Sequence, residues 1–119
     1  MSRWQYSCEQ TGPGTLAGRY MRQFWQPVYR LDDLTAGAAI PLRVMGEDLT
    51  LYRGQSGKPY VVDYRCAHRG TQLSVGRVFG EEIRCMYHGW CYAGDGQCTS
   101  QPGELDKKFT DRVKVKSYP

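Results

Sequence analysis

The sequence predicts an all-β domain, a sandwich or barrel of short antiparallel strands. Fourteen glycines and nine tyrosines in 119 residues favour turns and strands over long helices. Several short stretches alternate apolar and polar residues, the period of two that a half-buried strand requires. Turn signals recur about every 8 to 12 residues, as they do in sandwiches and barrels. The length suits one domain, and 40% hydrophobic with 24% charged residues is the balance of a globular protein.

The elements follow in order. Residues 1–20 read as irregular, with a turn at T-G-P-G (11–14). Residues 19–25, R-Y-M-R-Q-F-W, predict a short helix whose apolar side, Tyr20, Met21, Phe24 and Trp25, packs against a sheet. Q-P-V-Y-R-L (26–31) predicts a first strand and D-D-L-T-A-G-A-A (32–39) a polar loop. P-L-R-V-M-G (41–46) and D-L-T-L-Y-R-G (48–54) form a hairpin pattern around Gly46-Glu47. After the turn Q-S-G-K-P (55–59), P-Y-V-V-D-Y-R (59–65) is the next strand, and a loop begins at Cys66. G-R-V-F-G-E-E-I-R-C (76–85) reads as two short strands around Gly80-Glu81. W-C-Y-A-G-D-G-Q-C-T-S (90–100) is a further hairpin turning at Gly94-Asp95-Gly96, and R-V-K-V-K-S-Y-P (112–119) predicts a last strand. There is no internal repeat and no low-complexity tract.

Composition narrows the function. The net charge is +4, with basic residues gathered at Lys107, Lys108, Arg112, Lys114 and Lys116 around Asp106 and Asp111. A solvated face is the expected reading, because no basic helix or aromatic ladder accompanies the cluster; docking to an acidic redox partner is the sharper alternative. Nucleic acid is not expected as a partner. No apolar run approaches the roughly 20 residues that span a bilayer, and the N-terminus has no apolar segment of a secretory signal. A cytoplasmic location and no membrane partner are the default expectation. Five cysteines, an odd number, then read as metal ligands or free thiols rather than a disulfide framework.

The chain has two histidines, and both stand beside cysteines: R-C-A-H-R-G (65–70) and R-C-M-Y-H-G-W-C-Y (84–92). Each loop follows a predicted strand, so two adjacent loops bring Cys66, His68, Cys85 and His88 toward one point. The spacing is C-x-H, sixteen residues, then C-x-x-H. Zinc accepts two thiolates and two imidazoles, but zinc fingers commonly pair like with like in each loop. One sulfur and one nitrogen from each loop fits a two-iron site in which one iron takes both thiolates and the other both imidazoles.

C-A-H-R-G followed by C-M-Y-H-G-W resembles the Rieske [2Fe–2S] motif in the form seen in ring-hydroxylating oxygenases. The resemblance extends over nearly the whole chain. G-T-L-A-G-R-Y-M-R-Q-F-W-Q-P-V (14–28) is similar to the entry segment of the large oxygenase subunits of the phthalate-dioxygenase-like branch, and G-D-G-Q-C (94–98) to the stretch after the second loop. It implies a Rieske-type antiparallel β-sandwich with a small cluster-binding subdomain of two loops, 66–70 and 85–92. Residues 1–25 would be an N-terminal entry segment and 26–119 the cluster domain. Cys66, His68, Cys85 and His88 would be the metal and cofactor ligands of a [2Fe–2S] cluster.

Charge explains the use of histidine. Two ferric ions are balanced by two sulfides and two thiolates, and neutral imidazoles leave the oxidised core uncharged. Hence potentials of roughly −150 to +300 mV against about −400 mV for plant-type ferredoxins. High-potential respiratory members carry a disulfide between the loops, where Thr71 and Tyr87 stand here, and a serine where Trp90 stands. Tyr92 matches their tyrosine donor to a ligand thiolate. A potential near the bottom of the range is expected; a redox titration well above 0 mV would contradict it.

Among the neighbours, Arg69 is either a charge beside the cluster or a plain surface arginine. Gly70 and Gly89 allow tight backbone whose amides can bond to sulfur. Trp90 is expected to be a hydrophobic cover, with contact to a neighbouring domain as its alternative. Cys8 is expected to be a bystander, and Cys91 and Cys98, which flank the G-D-G turn, to be buried free thiols, with a disulfide across the hairpin as the alternative.

The resemblance implies single-electron transfer. A reductase or ferredoxin would supply the electron, and the mononuclear iron in the catalytic domain of a neighbouring oxygenase subunit would receive it, with His88 as the exit. That iron needs two histidines and a carboxylate, and both histidines here are assigned to the cluster. The catalytic domain is therefore absent from these residues, which alone should not hydroxylate a substrate. A free-standing Rieske-type ferredoxin and a zinc-binding structural module are the alternatives.

Overall fold

The computed structural model describes residues 9–119. Eight strands form two four-stranded antiparallel sheets, so the expected all-β, Rieske-type sandwich is the architecture observed. The first sheet has the order β1-β2-β3-β8, from Ala39–Val44, Glu47–Arg53, Pro59–Asp63 and Ser117–Tyr118. The second has the order β4-β5-β6-β7, from Arg77–Phe79, Glu82–Arg84, Cys91–Tyr92 and Cys98–Ser100. Among the described residues no helix is long and apolar enough to cross a membrane.

β1 and β2 pair with Val44 opposite Glu47, so the turn is Met45-Gly46, one residue before the expected Gly46-Glu47. Both turn residues have positive φ, 48° and 78°. That is the twist a two-residue hairpin needs, and Gly46 reaches it without a Cβ. A turn centred one residue later would move the pairing by two positions and set Met45 opposite Asp48.

One core joins the sheets. Tyr52 of β2, Val62 of β3, Leu73, Ile83 of β5 and Tyr92 of β6 are fully buried together, with Cys66, Cys85, Cys98 and Val115 among them. Burying each large apolar side chain contributes about 1.5–3 kcal/mol. The Tyr52 hydroxyl donates to the Glu81 carbonyl at 2.9 Å, and Gln55 N–H to the Gly80 carbonyl at 2.8 Å, tying the first sheet to the β4–β5 turn.

Four expectations are corrected. Residues 26–31 are not a strand: they run without ladder partners into a 3-10 turn at Leu31–Asp33, and Pro27 removes one donor such a strand would need. The N-terminal helix is α1, Leu16–Met21, three residues earlier than expected, because Thr15 caps it by accepting the Gly18 N–H at 3.1 Å. Its aromatic side does not pack into the core: Tyr20, Phe24 and Trp25 are exposed, Trp25 at 81%.

The tail is the third correction. Only Ser117–Tyr118 pairs with β3. Upstream, Val113 accepts from Cys98 N–H at 3.0 Å and Val115 donates to Gly96 at 2.9 Å, so the segment straps one sheet to the other. The fourth is a helix that a run of six residues could not announce by periodicity. α2, Lys107–Arg112, is capped by Asp106, which accepts the Lys108 N–H at 2.9 Å. The basic cluster therefore does include a short helix. The Thr110 hydroxyl donates to Gln101 Oε1 at 2.8 Å in a buried bond, and the Gln97 amide reaches the carbonyls of Asp111 and Val113 at 3.2 and 3.1 Å.

Candidate metal centre

The two loops are built alike. C-A-H-R-G-T (66–71) and C-M-Y-H-G-W (85–90) each close on themselves by a hydrogen bond from the first N–H to the sixth carbonyl. Cys66 N donates to Thr71 O, and Cys85 N to Trp90 O, both at 2.8 Å. Each has glycine fifth, with φ of 73° at Gly70 and 74° at Gly89. A side chain there would be strained, so the closure accounts for both glycines. The first loop is pinned at its base by the bridge Arg65–Gln72, the second by the β5–β6 pairing of Arg84 with Cys91.

The cysteine that starts each loop points inward: Cys66 and Cys85 are 3% and 1% exposed. The two thiols are near enough for Cys66 to act on Cys85 electrostatically. Burial pushes the Cys85 thiol up, opposed by hydrogen bonds from the Tyr87 N–H and the Thr71 hydroxyl. The histidines, third in one loop and fourth in the other, meet with ring centroids 5.3 Å apart. His88 takes the left-handed conformation, φ 67°, that turns it back toward His68. The four residues thus come together as a sulfur pair and a nitrogen pair.

Nδ1 of His68 is buried and has no hydrogen-bond partner, a cost of about 1–3 kcal/mol unless something else meets that lone pair. Burial, then the charges of Arg69 and His88, lowers the His68 pKa. The ring is held toward the neutral form that binds metals. Among the described residues no three His, Cys, Asp or Glu side chains are placed to hold one ion. A two-iron cluster asks for two protein donors on each iron, and pairs of donors are what the loops present. Two buried thiols, two imidazoles and an orphaned ring nitrogen fit that group.

Around the donors, Tyr92 places its hydroxyl 3.1 Å from Cys66 Sγ, and the Ala67 N–H donates to the same oxygen at 3.1 Å. Burial and the neighbouring thiol raise the Tyr92 pKa, so it keeps its proton and can donate it to a thiolate. Trp90 lies flat on His68, centroids 4.3 Å apart and planes at 14°. Arg69 is exposed and its charge reaches His68. The Gly70 N–H donates to the Cys66 carbonyl at 2.9 Å, so it does not serve a sulfur.

Cys91 and Cys98 are buried free thiols; Cys8 lies outside the described residues. Two features escaped the sequence reading. Thr71 brings a hydroxyl to Cys85, and Phe109 of α2 meets Trp90 edge-on at 6.4 Å. The hydroxyl type at position 71 was legible; the second contact joins residues too far apart in sequence to be read.

Residues 24–119 match the Rieske [2Fe-2S] domain family. The chain is 38% identical over 112 residues to the 5,5'-dehydrodivanillate O-demethylase oxygenase subunit of Sphingobium sp., covering 91% of this chain and 26% of that protein. It is 47% identical over 91 residues to the phenoxybenzoate dioxygenase subunit alpha of Ectopseudomonas oleovorans, covering 76% and 22%. Pseudomonas putida NdmA superposes with a TM-score of 0.72 at 29% identity, over 85% of this chain and 32% of that one. The chain thus spans about a quarter of the length of these curated relatives, 26% and 22%. By this match, which covers most of its length, the chain belongs to the Rieske [2Fe-2S] domain family.

Proposed function

We propose that this chain holds a [2Fe–2S] cluster on Cys66, Cys85, His68 and His88 and carries single electrons for an oxygenase. The observation that supports this most is the pairing of donors: thiol beside thiol, ring beside ring, with a buried, unpartnered Nδ1 on His68. When bound, the cluster supplies a one-electron carrier that is neutral when oxidised.

The protein's residues do the rest. Cys66 and Cys85 bind as thiolates on one side, His68 and His88 as neutral imidazoles on the other. Tyr92 and Thr71 each aim a hydroxyl at one thiolate, favouring the more negative reduced state. Trp90 covers the His68 ring and excludes water from that side. His88 is exposed, so its free ring nitrogen can donate a hydrogen bond to a partner's carboxylate. In this reading a reductase or ferredoxin is the donor, and His88 faces the acceptor, the catalytic domain of a neighbouring oxygenase subunit.

The test is an iron and sulfide assay with visible and electron paramagnetic resonance spectra of the purified protein. Two irons, two sulfides and a Rieske-type signal on reduction are expected, and Cys85→Ser should abolish all three. A colourless protein with one zinc would overturn the reading in favour of a structural module.

A further inference from the structure

The surfaces beside the two histidines differ. His88 is exposed, with Tyr87 packed on it at 4.0 Å and the exposed Met86 next to it. His68 is instead covered by Trp90, and Trp90 meets Phe109. Two ring contacts therefore lead from His68 to the outside of α2. Phe109 is 41% exposed there, and Leu105, four residues earlier, is 100% exposed. Lys107, Lys108 and Arg112 on the same helix are exposed, as is Arg69 next to His68.

The local charge is one-sided. Residues 104–116 carry five basic groups against three acidic ones. Two of the three acids are turned onto backbone: Glu104 accepts the Asp106 N–H and Asp106 accepts the Lys108 N–H, both at 2.9 Å. The helix is also rigidly seated, through the buried Thr110–Gln101 bond and the Gln97 amide on its last carbonyls. An apolar centre with a charged rim on a fixed support is the anatomy of a docking patch.

We propose that α2 and the turn before it, with the exposed Leu105 and Phe109 and the exposed cations Lys107, Lys108 and Arg112, dock an acidic one-electron carrier protein. The inference rests on the electron-transfer reading above and adds a side to it: the donor arrives over His68, while His88 is left for the acceptor. Charge complementarity selects an acidic carrier over a basic one and speeds its encounter. The exchange is one electron lost by the reduced carrier and one gained by the group on Cys66, His68, Cys85 and His88, with no atom transferred.

The test follows reduction of the cluster-loaded protein in a stopped-flow instrument. The reductants are an acidic plant-type ferredoxin and, for comparison, dithionite. Lys107→Glu with Lys108→Glu should slow the ferredoxin reaction about tenfold at low salt, with the gap closing as salt rises. The dithionite rate and the visible spectrum should stay within about twofold of the parent. Charge reversal at Lys58, at the far end of β3, should leave both rates alone. In a second measurement, redox-inert gallium-substituted ferredoxin is titrated into the isotope-labelled chain. Shifts are expected at Leu105, residues 107–112 and the Trp90 indole. Unchanged ferredoxin kinetics in the double variant, or shifts confined to Met86 and Tyr87, would overturn the docking surface while leaving the cluster in place. A protein that takes up no iron would overturn the electron-transfer reading itself, and this surface with it.

Discussion

The Tyr92 hydroxyl accepts the Ala67 N–H and faces Cys66 Sγ, so its own proton is free for the sulfur. A hydrogen bond to a thiolate stabilises the reduced, more negative state more than the oxidised one. Tyr92→Phe should therefore lower the potential. A bond worth about 1–1.5 kcal/mol corresponds to about 40–60 mV for one electron, and a redox titration measures it. An unchanged potential would mean that the hydroxyl serves the Ala67 amide alone. Thr71→Val should act in the same direction on the other thiolate, because its hydroxyl opposes the burial that raises Cys85.

At the scale of elements, turns decide where the donors sit. Met45 is a non-glycine residue at φ 48° in a hairpin that asks for positive φ at both positions. Met45→Asn should raise the stability by about 0.5–1 kcal/mol, read as a higher urea midpoint with an unchanged slope. Gly96 is the opposite case. It has φ 86°, and a Cβ there would run into the Val115 carbonyl oxygen on the strap between the sheets. Gly96→Ala should cost about 2 kcal/mol or more. If the variant unfolds at the parent's urea midpoint, the strap is not held as tightly as the bonds of Gly96 and Val115 imply. Of these elements, the strands with clear alternation were legible in the sequence. Residues 26–31 were not, because an alternating extended segment looks the same whether or not a neighbour accepts its hydrogen bonds. Nor was α2, whose six residues offer less than two turns of pattern.

For the whole molecule, the donor cluster and the hydrophobic core are one body. Cys66, Cys85 and Tyr92 pack with Leu73, Ile83 and Val62. Without a group on these donors, two buried thiols stay in that core and Nδ1 of His68 stays without a partner beside it, and no bound group links the loops. Chelation of the iron should lower the melting temperature by roughly 10 °C or more, measured by circular dichroism. A melting temperature unchanged by iron removal would mean that the two loops hold their shape without the group. Beyond the core, Phe24, Trp25, Val28 and Leu42 line an open groove on the first sheet, so the apolar N-terminal side chains are not absorbed by this domain.

The sequence alone determined which donors the centre can offer. Two histidines and two loop cysteines at C-x-H and C-x-x-H spacing leave few metal groups they can serve, because ligand type and count are properties of the residues. It also determined the all-β class, since alternation and turn signals are local. The sequence led to the expectation of thiol beside thiol, imidazole beside imidazole and a Tyr92 donor; only the tertiary structure decided that Tyr92 meets Cys66 rather than Cys85, and that Phe109, Trp90 and His68 stack. These contacts join residues up to tens of positions apart, and no local pattern encodes them. They exist because two sheets packed on one core bring both six-residue loops, and α2 beside them, to the same end of the molecule.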